Sequence, residues 1–315
     1  MSSKQVVYRD TNKSLATRML EHWQLYVFLL IPVIYLLVFK YYPMLGLQLA
    51  FKRFNIRDGV WGSPWIGFDH FVKFFNSYQF KRVITNTITV SLYGLLSGFP
   101  LPILLALSMN SITSKRFKKF TQTVTYLPYF ISVVVLVGIL FQVLAPRGGL
   151  IVNLFGGLIK SEFPDLMANP GLFKHLYVWS GNWQYMGYNS IIYVAALAGV
   201  DPELHEAAQI DGASRFKRVL HIDFPTILPT ASVLLIMSAG RIMTVGFEKV
   251  YLMQNPLNIS ASEVITTYVY KVGLGTATTD FSYGTAIGLF NSLINLILIV
   301  LVNQLAKRWG ETSLF

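Results

Sequence analysis

Groups able to do chemistry are sparse in this sequence of 315 residues, and their densest run is 205–230, HEAAQIDGASRFKRVLHIDFPTILPT. That run mixes acids, bases and two histidines, and it lies between two strongly apolar stretches. Elsewhere no catalytic constellation forms. The five histidines, His22, His70, His175, His205 and His221, lack metal-ligand spacing such as H-E-x-x-H. Cysteine is absent, which excludes disulfides, thiolate metal sites and a cysteine nucleophile. There is no G-x-x-x-x-G-K-[ST] phosphate loop, so ATP hydrolysis is not expected of this chain. No Asp or Glu falls in the middle of an apolar run, which argues against a proton relay. The expectation is a non-enzyme, with no catalytic residue, metal or cofactor of its own, that moves something without transforming it.

Composition sets the surroundings. Hydrophobic residues make up 53% of the chain and charged ones 13%, and the mean hydropathy is +0.50. Soluble domains carry about 25% charged residues, and their apolar share of about 45–50% already counts glycine. A lipid-facing, all-α protein is the natural reading. Six spans are expected, at about 23–42, 86–110, 124–145, 175–200, 227–247 and 284–305, each near the ~20 residues a bilayer needs. The second carries Gly94, Gly98, Pro100 and Pro102, and is expected to be kinked and packed inside. The fourth is the most polar, with Ser180, Asn182, Gln184 and Asn189. No cleavable signal peptide is evident, so the first span is expected to stay.

Six spans put both ends on one side, together with 111–123 and the loop 201–226. Lys and Arg are denser there than on the other side, so that side is taken as cytoplasmic. The N-terminal segment 1–22 and the tail 306–315 then face the cytoplasm. The net charge of +11 would suggest nucleic acid in a soluble protein. Here the basic residues flank apolar runs, and the cluster KRFKKF at 115–120 reads as an anchor beside anionic lipid, with no nucleic-acid partner expected. The outer loops near 43–85, 146–174 and 248–283 are rich in Gly, Pro and aromatics and are expected to be folded.

The loop 201–226 has the grammar of a helix–turn–helix. Asp201-Pro202-Glu203 supplies a cap, a proline at the first helical position and a carboxylate near the positive end of the dipole. Ala207 and Ala208 let another surface approach closely, and Asp211-Gly212 can end the helix. Ser214 caps a second helix with Phe216, Val219 and Leu220 on one face, and Pro225 is expected to stop it before the fifth span. The pattern alone fits two roles: an amphipathic loop on the headgroups, or a knob that docks in a groove of a soluble partner.

The same residues resemble the EAA motif of permease subunits in binding-protein-dependent ABC importers. That pattern is EAA, three residues, G, nine residues, I, one residue, LP. This chain supplies Glu206, Ala207, Ala208, Gly212, Ile222 and Phe224-Pro225, departing only by Phe for Leu. The stretches LYVFLLIPVIYLLVFKYYPMLGLQLAFKRFN, GSPWIGFDHFVKFF, GFEKVYLMQNP and FSYGTAIGLFNSLIN are similar to permeases of oligosaccharide and polysaccharide uptake. The resemblance implies the six-span type I permease fold, with Glu206, Ala207, Ala208, Asp211, Gly212, Ala213, Phe216, Ile222 and Pro225 meeting an ATPase. It implies a second permease subunit in a heterodimer, two ATPase copies that bind ATP and Mg, and an extracytoplasmic solute-binding protein delivering a carbohydrate. In some relatives the loop corresponding to 248–283 reaches into that binding protein. A non-sugar cargo, or an ion-coupled secondary transporter, is the alternative.

Cargo contact would fall on aromatic and amide side chains. Trp179, Trp183, Tyr185, Tyr188 and Asn189 in the fourth span, and Asn291 and Asn295 on one face of the sixth, are the candidates. The same residues could equally serve as interhelical glue or as an interfacial aromatic belt. Arg241 is expected inside the fifth span, roughly 9 Å below its outer end by helical rise, either snorkelling or in a polar gate.

Overall fold

The computed structural model describes residues 21–155, 163–275 and 279–308. Most of the expected terminal segments 1–22 and 306–315 lies outside them. The principal helices are α1 (Trp23–Phe51), α2 (Asp69–Phe75), α3 (Tyr78–Asn110), α4 (Lys115–Phe130), α5 (Val133–Val143) and α6 (Pro170–Leu197). They continue with α7 (Pro202–Ile210), α8 (Arg215–Ala239), α9 (Phe247–Met253), α10 (Ile265–Leu274) and α11 (Phe281–Arg308). Among the described residues the one strand-like feature is an isolated antiparallel bridge between Lys52 and Trp65.

Helices α1, α3, α8 and α11 are each long and apolar enough to cross a membrane. The pair α4 and α5 passes that test jointly, although it bends by 97° at the break between its halves. Helix α6 has the length, 28 residues, but its amides and hydroxyls leave it outside that apolar set. These elements fit the expected six-span layout. Helix α6 is central, touching α3, α4 and α8. Helix α11 packs against α10, α8, α2 and the last turns of α1. The first fourteen residues of α1, Trp23–Leu36, bury nothing against the rest of the chain.

Two expectations are corrected. Pro225 does not stop a helix, because α8 runs through it from Arg215 to Ala239. A π turn at Val219–Asp223 precedes it, with the Phe224 N–H reaching back five residues to Val219 O. The wider turn makes room for the proline ring and absorbs its missing donor. Pro43 in α1 is preceded in the same way by a π turn at Leu37–Tyr41. The second correction concerns Arg241, which lies in the turn after α8 and not within the span. The helix ends eight residues sooner than expected because Asn295 of α11 captures the next backbone. Its Oδ1 accepts from Met243 N at 3.1 Å, and its Nδ2 donates to Thr244 Oγ1 at 2.9 Å.

The break between α4 and α5 is served similarly. Ser132 caps α5 by accepting from Val135 N, and buried Gln184 of α6 donates to the Ile131 carbonyl at 2.7 Å. Asn86 of α3 donates to Ser260 O and Glu263 O at 2.9 and 3.0 Å. Buried Glu263 pairs with Arg82, and with Lys271 at 3.0 Å. The outer loop before α10 is thus folded onto the top of α3, as its composition suggested.

Helices α4 and α6 approach most closely at Gly187, where a Cβ would lie 1.9 Å from Thr125 O. Gly187→Ala must push these helices apart, at a cost of about 1–3 kcal/mol. The thermal unfolding midpoint of the purified protein should fall clearly. Gly288→Ala, where a Cβ meets nothing within 4 Å, should leave the midpoint unchanged.

Candidate functional site

The knob takes the form its caps dictate. Asp201 accepts from Glu203 N at 3.0 Å, and Pro202 occupies the first turn of α7. Gly212 follows in the left-handed region, φ 75°, and the Ala213 N–H reaches back to Ala208 O at 2.8 Å. Ser214 then caps α8 by accepting from Lys217 N. Of the residues expected to meet an ATPase, Glu206, Ala207, Asp211, Gly212, Phe216 and Pro225 are exposed, while Ala208, Ala213 and Ile222 are half-buried. Ile210 and Phe216 stand out furthest, 87% and 74% exposed. The apolar stripe divides: Val219 packs into the core beneath with Ile103 and Ile227, whereas Leu220 stays exposed.

Asp223 ties the knob to the bundle, a role that the sequence reading missed. Its carboxylate is buried. Oδ1 accepts from Asn110 Nδ2, at the end of α3, at 3.1 Å. It also lies 3.2 Å from His205 Nε2 of α7. One acid thereby holds the end of α3, the first knob helix and the base of α8. The available signal was a lone acid set directly before the apolar run of α8.

The second site is a cavity of about 890 Å³ between α3, α6 and the turn after α8. Tyr188, Asn189 and Arg241 of the expected path residues line it, joined by Asn182, Tyr185, Thr244 and Lys249. Trp183, Asn291 and Asn295 are not among its lining residues. Trp183 is half exposed elsewhere on α6. Asn295 spends both amide atoms on the turn at Met243 and Thr244. Asn291 Oδ1 is buried without a hydrogen-bond partner. Tyr188 stacks on Tyr129 with centroids 3.7 Å apart, which leaves its other face and edge for contacts.

Lys249 falls in the stretch 248–283 that was expected to be an outer loop, yet it is buried. Its Nζ donates to Tyr177 O at 2.8 Å and lies 4.9 Å from the Tyr177 ring centroid. Burial lowers the pKa of this ammonium to about 8. The cavity therefore combines amides, phenols and two cations, a set able to hydrogen-bond hydroxyls and to attract negative charge.

Comparison with known proteins follows the same lines. Residues 98–311 match the family described as binding-protein-dependent transport system inner membrane component. The polygalacturonan/rhamnogalacturonan transport system permease protein YteP of Bacillus subtilis is 40% identical over 310 residues, covering 98% of this chain and 95% of that protein. Protein LplB of the same organism is 39% identical over 291 residues, covering 92% and 91%. One solved structure similar to this chain is a bacterial alginate ABC transporter in complex with alginate pentasaccharide-bound periplasmic protein. The likeness has a TM-score of 0.87 at 38% identity, covering 96% of this chain and 100% of that one. The EAA motif and the coupling helix are features of this group. The chain belongs to the binding-protein-dependent transport system inner membrane components, and is a non-catalytic, membrane-embedded permease subunit of the ABC importer class.

Proposed function

We propose that this chain forms half the translocation path of an ATP-driven importer, taking an oligosaccharide or polysaccharide from an extracytoplasmic solute-binding protein. The observation that carries the reading is the exposed, doubly capped EAA knob, pinned to the bundle through Asp223. Two ATPase subunits bind ATP and Mg on the cytoplasmic side, and one of them receives Ile210 and Phe216 in a surface cleft. Both termini lie on that side with the knob. A second, similar permease completes the path as a heterodimer, and the uncovered apolar surface of Trp23–Leu36 is available to it and to lipid.

The chain contributes binding and motion. Tyr188, Asn189 and Asn182 present one aromatic face and two amides to sugar hydroxyls. Relatives of this chain are named for polygalacturonan, rhamnogalacturonan and alginate transport, which supports a carbohydrate cargo. Movement of the seated knob passes through α7 and Asp223 to α3 and α8, the two helices that flank the cavity.

Two measurements test the coupling. Ala207 is exposed within a well-formed helix, so Ala207→Trp adds bulk to the contact face without disturbing the fold. Gly212→Trp adds bulk at the turn but also strains its left-handed backbone, so Ala207→Trp is the deciding variant. Tagged subunits carrying either change should recover less than a tenth of the wild-type ATPase on co-purification, with cargo uptake lost. Full recovery and uptake in both would remove the ATPase from this surface. The pin is tested separately. Asp223→Ala removes a buried acceptor whose contacts are each worth about 1–3 kcal/mol. Amide hydrogen exchange across Pro202–Ile210 should then speed up about tenfold or more while the core of α11 stays protected.

A further inference from the structure

We infer that Lys249 and Arg241 form a carboxylate-reading wall of the cavity, so that the cargo is an acidic, uronate-bearing oligosaccharide and not a neutral one. The inference rests on the importer reading above and sharpens its substrate class. Among the described residues, Lys249 and Arg241 are the only charged ones that line the cavity, and no Asp or Glu joins them. Among the described residues neither cation has an acidic partner, since the ion pairs found there engage Lys73, Arg82, His205 and Lys271.

Lys249 is the informative member of the pair. A buried ammonium carries three donors, and here one goes to Tyr177 O while the Tyr177 ring offers its face. That leaves donor capacity unused in a place where uncompensated charge is costly. Gly181 faces the ammonium, and a Cβ there would lie 3.2 Å from Nζ. A larger residue would cover the charge; glycine leaves it open to the cavity. Arg241 is exposed, and its planar fork suits a carboxylate bidentately. Asn182 and Asn189 lie on the same lining and serve sugar hydroxyls on either ionic state. The two cations therefore discriminate charge, while the amides and phenols recognise the sugar.

The test uses the intact importer in its host, with the chromosomal copy of this chain replaced by variants. Cells receive a pool of oligosaccharides from partly hydrolysed pectin and alginate, or the same pool with its carboxylates reduced to alcohols. Internalised sugar is measured by mass spectrometry, and assembly by co-purification of partner subunits. Wild type is expected to take up the acidic pool at least tenfold faster than the reduced one. Lys249→Met and Arg241→Gln should each lower the ratio of acidic to reduced uptake at least tenfold, through a raised KM for the acidic pool. Lys249→Arg should restore most of the acidic uptake, which a merely structural role would not predict. If Lys249→Met fails to assemble, Arg241→Gln and Lys249→Arg decide the matter alone. Acidic uptake within twofold of wild type in the neutral variants would overturn the proposal. Preference of the wild type for the reduced pool would also overturn it, while leaving the importer intact. Uptake of neither pool by the wild type would remove the carbohydrate reading, and this proposal with it.

Discussion

No backbone donor or acceptor can be abandoned inside a bilayer, where each unsatisfied group costs several kcal/mol. Several departures from a straight helix among the described residues are shaped by that constraint. The carbonyl of Ile131, at the break between α4 and α5, is taken by Gln184. The N–H of Met243, freed where α8 ends, is taken by Asn295. Two prolines within long helices are accommodated by π turns immediately before them. Asn86 does the same service for the carbonyls of Ser260 and Glu263. Without these side chains the spans would have to be uninterrupted rods. Such rods would enclose no polar cavity.

The constraint also sorts the polar residues of the spans. Gln184 donates to the Ile131 carbonyl, and Asn295 is spent on Met243 N and the Thr244 hydroxyl. Asn182 donates to Ser97 Oγ at 2.9 Å and keeps its carbonyl oxygen on the cavity side, beside Gly98. Tyr188 is held in place by its stack on Tyr129. Van der Waals packing and hydrogen bonds, more than hydrophobic burial, hold helices together in lipid. Polar side chains are therefore scarce there, and each tends to serve either the scaffold or the path.

Much of the knob was legible in sequence because caps are local. Asp201, Pro202, Gly212 and Ser214 act within three residues of themselves, and the structure places each as its chemistry requires. The apolar spans were legible by length, and Ser180, Asn182 and Asn189 marked α6 as the polar one. What sequence could not give were partnerships across more than fifty residues. Asn295 looked like a cargo ligand because nothing local shows that Met243 lies beside it. Arg241 looked embedded because the apolar run continues past Ala239, although the helix does not. Pro225 looked like a stop because a π turn leaves no signature in composition. Asp223 and Lys249 were passed over as loop charges, since their burial depends on helices far off in the chain.

Helix α8 joins the two ends of the molecule. Its first turn is the second half of the knob, its base carries Asp223, and its 25 residues reach roughly 37 Å at 1.5 Å per residue. The turn at its far end presents Arg241 to the cavity, and α9 follows with Lys249. That turn is bound to α11 through Asn295, and Lys249 is bound to α6 through Tyr177. A displacement of α8 therefore acts first on the Arg241 turn, which is tied to α11, while Lys249 stays tied to α6 beside Asn182 and Asn189. Packed helices shift between discrete arrangements and do not deform smoothly. Arg241 thus sits at the far end of the helix that begins in the knob, whereas Lys249 and the amides are held by α6. Motion of α8 against α6 changes the distance from Arg241 to Lys249 and to the two amides.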